Sequence, residues 1–250
     1  MRPDPIGLNP LRLLGILSLT VLYCAATAGA ESDTDTLRVA VAANFRSAAE
    51  ALAEIFTART GTELLISSAS TGVLATQWRR GAPFDLLLAA DEARPAMLVD
   101  KGLTLGDARC YAEGSLVLLG SDDLESALSA TDLSIAIANP RSAPYGLAAE
   151  AVLRRDGFAD PNSRRVINGS NVQQAFQFWD SGAADLALVA RSLDPGSGLP
   201  IPRDWHDPIR QYAVINAGSE RAARAEAFLD FVTGERGREI LAAVGYEDCE

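Results

Sequence analysis

Apolar positions along the chain fall into short strand-length runs separated by stretches of helical spacing. Residues 37–42 (Leu-Arg-Val-Ala-Val-Ala) form a nearly continuous apolar run, and Phe45, Ala48, Ala49, Leu52, Ile55 and Phe56 then recur at the three-and-four spacing of a helix that runs to residue 60. Gly61 ends that helix, 63–67 returns as a strand, 72–80 is a second helix closed by Gly81, and 84–89 is a third strand. A second series places strands at 115–119, 133–137 and 185–189 and helices at 146–155 and 172–181. After a loop rich in Pro and Gly at 195–208 come a strand at 212–215 and helices at 220–232 and 235–244. Strands alternating with helices predict an α/β protein whose sheets are parallel and covered on both faces. There are two such units in series and no short-period repeat.

The first thirty residues stand apart. Arg2 and Arg12 precede an apolar run at 13–23, and small residues follow, ending in Ala28-Gly29-Ala30. This is the pattern of a secretory signal cleaved near Ala30, in a run too short to cross the ~30 Å hydrocarbon layer, which takes about 20 apolar residues. Cys24 raises a lipid anchor, against which Tyr23 stands where that processing wants a small side chain. The expected location is therefore periplasmic. The full chain carries a formal net charge of −11 and the leader contributes two Arg and one Asp, leaving about −12 after processing. Such an acidic protein is a poor partner for nucleic acid or an anionic membrane, and any anion site in it must work through local dipoles. Cys110 and Cys249 remain after processing, and an oxidising compartment permits them to pair; the alternative is two free thiols.

Ligands of α/β proteins bind at the carboxyl ends of strands, where loops lead into helix N-termini. Four such junctions stand out: Ala43-Asn44-Phe45, the run from Ser67 to Gly72, the segment from Asn139 to Gly146, and Gly169-Ser170-Asn171-Val172. Each sets amides or hydroxyls at a helix start, where free N–H groups and the helix dipole hold an anion without a charged side chain. Each also has a plainer reading, because Ser, Thr and Asn are the preferred N-caps, worth about 1 kcal/mol to their own helices. None of the four segments contains Asp or Glu. That argues against phosphate, which keeps a proton at neutral pH and needs an acceptor, and favours a fully deprotonated dianion that only accepts.

These motifs, together with Gly81-Ala82-Pro83-Phe84-Asp85-Leu86 and Gly182-Ala183-Ala184-Asp185, resemble in order and spacing the periplasmic molybdate-binding proteins of bacterial ABC importers, in the branch with Pro-Tyr-Gly at 144–146. The resemblance runs from about Leu37 to Tyr246. It implies a bilobal periplasmic-binding-protein fold, two α/β lobes joined by a two-crossover hinge, with 31–113 and 214–250 in lobe 1 and 114–213 in lobe 2. It also implies neutral ligands to a molybdate or tungstate ion: the side-chain amide and N–H of Asn44, the hydroxyl and N–H of Thr71, the N–H and optionally the hydroxyl of Tyr145, and the N–H of Val172. Ala43, Ser70 and Asn171 are second contacts. The metal is touched only through its oxygens, and no cofactor is implied. This chain departs from relatives of the resembled family at Ala43, which lacks a Thr hydroxyl, at Thr71, which replaces Ser, and at Ala190, where another branch has Tyr. The implied partner is an ABC permease in the inner membrane, and the expected state is a monomer.

Other residues read as ordinary. His206 is the only histidine and sits among loop carboxylates, too few ligands for a zinc site. Arg141 reads as a solvated rim residue, because desolvating it for a site already supplied with neutral donors is costly. Arg79, Arg80, Arg154 and Arg155 end helices where positive charge suits the dipole, and Trp78, Phe176, Phe178 and Trp179 fit packing. There is no Gly-x-Ser-x-Gly elbow and no phosphate-loop Lys, so the reading is a binding protein, not an enzyme. Its rivals are a sulfate binder, a hydrolase using Ser70 or Thr71, and a sensor domain that contacts a receptor.

Overall fold

The computed structural model describes residues 36–158, 160, 163–194 and 196–249; the expected leader, its cleavage near Ala30 and Cys24 lie outside them. In chain order the elements are β1 (Leu37–Ala42), a 3-10 turn (Ala43–Phe45), α1 (Arg46–Thr60), β2 (Leu64–Ala69), α2 (Thr71–Arg79), β3 (Leu86–Ala89), α3 (Ala93–Asp100) and β4 (Thr104–Gly114). There follow β5 (Leu116–Leu119), α4 (Leu124–Ser129), β6 (Ile135–Ala138), α5 (Pro144–Leu153), β7 (Val166–Gly169), α6 (Val172–Asp180), β8 (Leu186–Ala190) and β9 (Leu199–Pro200). The chain ends with β10 (Ile209–Asn216), α7 (Ala222–Thr233) and α8 (Glu235–Ala243).

The strands make two five-stranded sheets, ordered β2-β1-β3-β10-β4 and β7-β6-β8-β5-β9. Period-two alternation sorts the first sheet's side chains onto two cores. Leu37, Val39 and Val41 of β1, Leu86 and Leu88 of β3, and Ala213 and Ile215 of β10 face α1, α7 and α8, whereas Ala40, Leu87, Ala89 and Val214 face Leu74 and Trp78 of α2 and Leu98 of α3. The second sheet has its own core, into which Ala42, Ala43 and Ala90 of the first lobe also pack. The lobes therefore touch through small apolar residues at the strand ends.

The sheets are mixed where the pattern predicts parallel ones. β1 pairs in parallel with β2 and β3, and β6 with β7 and β8, but β10 is antiparallel to β3 and β4, and β5 to β8 and β9. The antiparallel strands are those beside the crossings. The chain leaves the first sheet at Gly114, enters the second at Leu116, and returns between Pro200 and Ile209. Residues 209–213 thus belong to the first sheet, which moves the return crossing upstream of the expected boundary at 213/214. β4 supplies the reason: it pairs with β10 from Gly114↔Ile209 onward and extends that strand beyond its most apolar part.

Candidate functional site

All four expected ligands and all three second contacts line one cavity. Ala43, Asn44, Ser70 and Thr71, with Ala42 and Ala90, close it from the first lobe; Tyr145, Asn171 and Val172, with Ala143 and Pro144, close it from the second. Its volume is about 10 Å³, and its wall carries no Asp, Glu, Lys, Arg or His. The N-termini of α2, α5 and α6 meet there. The N–H groups of Thr71, Tyr145 and Val172 lie in the first turns of those helices, where no preceding turn offers them a carbonyl. Pro144 opens α5 with its missing N–H at a position that needs none.

The polar side chains of these junctions divide between capping and the cavity. Asn171 caps α6: its Oδ1 accepts from the Gln174 N–H at 3.0 Å. Ser70 occupies the same position before α2 but makes no capping bond, and its Oγ, in a residue only 4% exposed, has no hydrogen-bond partner. Thr71 is fully buried, and its Oγ1 accepts from the Ala90 N–H at 3.0 Å, which leaves the hydroxyl proton to donate.

Asn44 differs from expectation. Its Nδ2 donates to Gln211 Oε1 and to the Tyr246 hydroxyl, both at 2.9 Å, so both amide hydrogens are engaged within the protein. The side chain of Asn44 thus serves as a tether, which leaves its backbone N–H as the donor available to a ligand. Behind it lies a buried polar layer absent from the sequence reading. Gln211 Nε2 donates to the Ile209 carbonyl at 3.2 Å, the Tyr111 hydroxyl donates to the Ala89 carbonyl at 3.2 Å, and Ser192 Oγ donates to the Asn44 carbonyl at 2.9 Å. Gln211 shares a strand face with apolar Ile209 and Ala213. A polar residue at a buried period-two position is the one signal that marks it, and an expected strand beginning at 212 misses it.

Tyr145 is likewise turned. Its hydroxyl reaches the first crossing, so close to Gly114 that a Cβ there would lie 1.9 Å from it, and it has no hydrogen-bond partner. Burial raises its pKa well above the ordinary tyrosine value, and Tyr246 nearby adds to this. Burial likewise raises the pKa values of Tyr111 and Tyr246.

His206 lies on the return crossing, its Nδ1 2.7 Å from the Asp207 carbonyl, and is not part of the cavity wall. Arg141 is exposed, and its side chain lines an open cleft of about 800 Å³ on the second lobe. Cys110 and Cys249 are joined as a disulfide with Cα atoms 6.1 Å apart. Among the described residues no cluster of His, Cys, Asp and Glu could hold a metal ion, and no helix is long and apolar enough to cross a membrane.

Residues 37–247 match the family model of the bacterial extracellular solute-binding proteins. The molybdate-binding protein of Azotobacter vinelandii is 36% identical over 94% of this chain and 96% of its own. That of Rhodobacter capsulatus is 38% identical over 83% and 86%. The solved structure of the Azotobacter vinelandii periplasmic molybdate-binding protein superposes with a TM-score of 0.81 at 35% identity, covering 86% of this chain and all of that one. With a two-lobed α/β fold, a neutral cavity between the lobes and these likenesses along nearly its whole described length, the chain belongs to the bacterial extracellular solute-binding proteins, in the family of the periplasmic molybdate-binding proteins.

Proposed function

We propose that this protein captures molybdate or tungstate in the periplasm and delivers it to an ABC permease of the inner membrane, as a monomer and without catalysing a reaction. The observation that carries this reading is a buried cavity lined by neutral groups, in which the Ser70 hydroxyl has no partner of its own. A dianion that only accepts hydrogen bonds is the ligand such a wall suits, and a protonated phosphate lacks its acceptor there. The donors are the backbone N–H groups of Asn44, Thr71, Tyr145 and Val172 and the hydroxyls of Thr71 and Ser70. The Ser70 hydroxyl makes up for the one that Ala43 lacks. Hydrolysis at Ser70 or Thr71 is disfavoured because no residue of the wall is a general base, and a nucleophilic hydroxyl needs one within hydrogen-bond reach.

The test is calorimetric titration of the dialysed protein, lacking its leader, with molybdate, tungstate, sulfate and phosphate at neutral pH. The expected result is tight one-to-one binding of molybdate and tungstate, with sulfate and phosphate silent. Binding of sulfate alone would overturn the assigned ligand while keeping the site, and ester turnover would revive the hydrolase.

A further inference from the structure

Tyr246 stands near the C-terminus, far in sequence from every cavity residue, yet its hydroxyl is one bond from the site. It accepts from Asn44 Nδ2 at 2.9 Å and donates to the Asn44 carbonyl at 2.9 Å, so one phenol grips both ends of Asn44. Ser192, which follows β8 in the second lobe, donates to the same carbonyl at 2.9 Å and lies 3.1 Å from the Tyr246 hydroxyl. The three residues form a knot that joins the two lobes behind the cavity.

The segment carrying Tyr246 is itself strapped down. Glu247 exchanges both backbone hydrogen bonds with Glu113 of β4, at 2.7 and 2.9 Å, and Cys249 is bonded to Cys110 of the same strand. The Tyr246 ring meets the edge of Phe45, the residue after Asn44, with centroids 5.2 Å apart. A phenylalanine would keep the packing and lose only the grip.

We propose that Tyr246, held by the C-terminal strap, is a positioning residue for ligand capture. By holding the Asn44 side chain and carbonyl it fixes the residue as a whole, and with it the direction of the Asn44 N–H toward the cavity, and through Ser192 it ties that orientation to the approach of the second lobe. The proposal rests on the capture function argued above. Its logic is that preorganised donors bind without first having to be ordered, and that removing the phenol oxygen leaves one Asn44 amide hydrogen buried without an acceptor.

The experiment compares wild type, Tyr246→Phe, Ser192→Ala and the core control Leu229→Ala, a buried residue of α7 that shares the core of the Tyr246 ring but takes no part in the hydrogen-bonded knot. Two readouts are taken. One is NMR hydrogen exchange of the Asn44 side-chain amide in protein free of oxyanion; the other is molybdate affinity and dissociation rate. The expected result is faster exchange of the Asn44 amide in Tyr246→Phe, with dissociation at least about tenfold faster in Tyr246→Phe and several-fold faster in Ser192→Ala. Leu229→Ala should lower the unfolding temperature and leave both readouts near wild type. Wild-type dissociation in Tyr246→Phe, or an equal loss in Leu229→Ala, would overturn the proposal. Should the wild type bind none of the four oxyanions, the capture reading fails, and the exchange readout alone then decides whether Tyr246 holds Asn44.

Discussion

Ser70 precedes α2 at the position where a serine hydroxyl ordinarily accepts an N–H from its own helix, and Asp123 and Asn171 do just that before α4 and α6. Ser70 does not, and its hydroxyl is left buried and unpartnered. The two readings of such a residue predict opposite signs. Removing a capping hydroxyl costs about 0.5–2 kcal/mol of stability. Removing a buried hydroxyl without a partner relieves a desolvation penalty of about 1–3 kcal/mol. For Ser70→Ala the expected outcome is unfolding in the absence of oxyanion at an unchanged or higher temperature, together with molybdate affinity weaker by about tenfold, or about 1.4 kcal/mol. Thermal unfolding and titration of the same variant check both halves. A lower unfolding temperature with unaltered affinity would return Ser70 to the role of a cap. The distinction was open in the sequence because Ser and Asn fit both roles. Only the partners, which the fold supplies, separate Ser70 from Asn171.

At the scale of elements, α2 begins against the loop that precedes α5. The Gly72 N–H donates to the Ser142 carbonyl across the lobes at 2.9 Å, and Arg94, held by Asp91, donates to the Arg141 carbonyl at 3.3 Å. A Cβ on Gly72 would lie 2.9 Å from that Ser142 oxygen and 3.1 Å from its Cα, both backbone atoms with little freedom to move. Gly72→Ala should therefore leave the first lobe at least as stable, because alanine in a helix is favoured over glycine by about 0.5–1 kcal/mol. It should oppose closure by the ~1–3 kcal/mol usual for overpacking, weakening molybdate binding by about 5- to 150-fold. Calorimetry and chemical unfolding check the pair, and a parallel change in both would point to ordinary misfolding. Elements bounded by local signals were legible in the sequence: Gly61 and Gly81 end α1 and the α2 turn with φ of 75° and 84°, and the core strands β1, β3, β5 and β8 are apolar runs. β4 was not legible. It carries Gly106, Asp107 and Arg109 along a half-exposed edge, and its partner β10 arrives about a hundred residues later. The layer behind Asn44 was hidden for the same reason, since its partners lie 167 and 202 residues away.

At the scale of the whole molecule, a neutral cavity sits inside a chain with net charge −11. The two facts act on different steps. Once the lobes enclose a dianion, its hydrogen bonds are short and shielded from solvent ions, so the dissociation rate should respond little to salt. The approach of the dianion is another matter, because at low ionic strength it meets the long-range field of an acidic protein. The Debye length shrinks from about 30 Å at 0.01 M to about 8 Å at 0.15 M, so added salt removes repulsion along most of the path. The association rate of molybdate should accordingly rise by about threefold or more over that range, the reverse of the salt effect on an electrostatically steered ligand. Arg141, exposed beside the segment that forms the second lobe's wall, offsets part of the repulsion locally. Arg141→Ala should slow association at low salt, converge with wild type at high salt and leave dissociation unchanged. Stopped-flow measurements of both proteins across ionic strength check this. A wild-type association rate that falls with salt would mean that the positive helix ends, rather than the net charge, govern the encounter, and a change in dissociation for Arg141→Ala would place that guanidinium in contact with the bound ion.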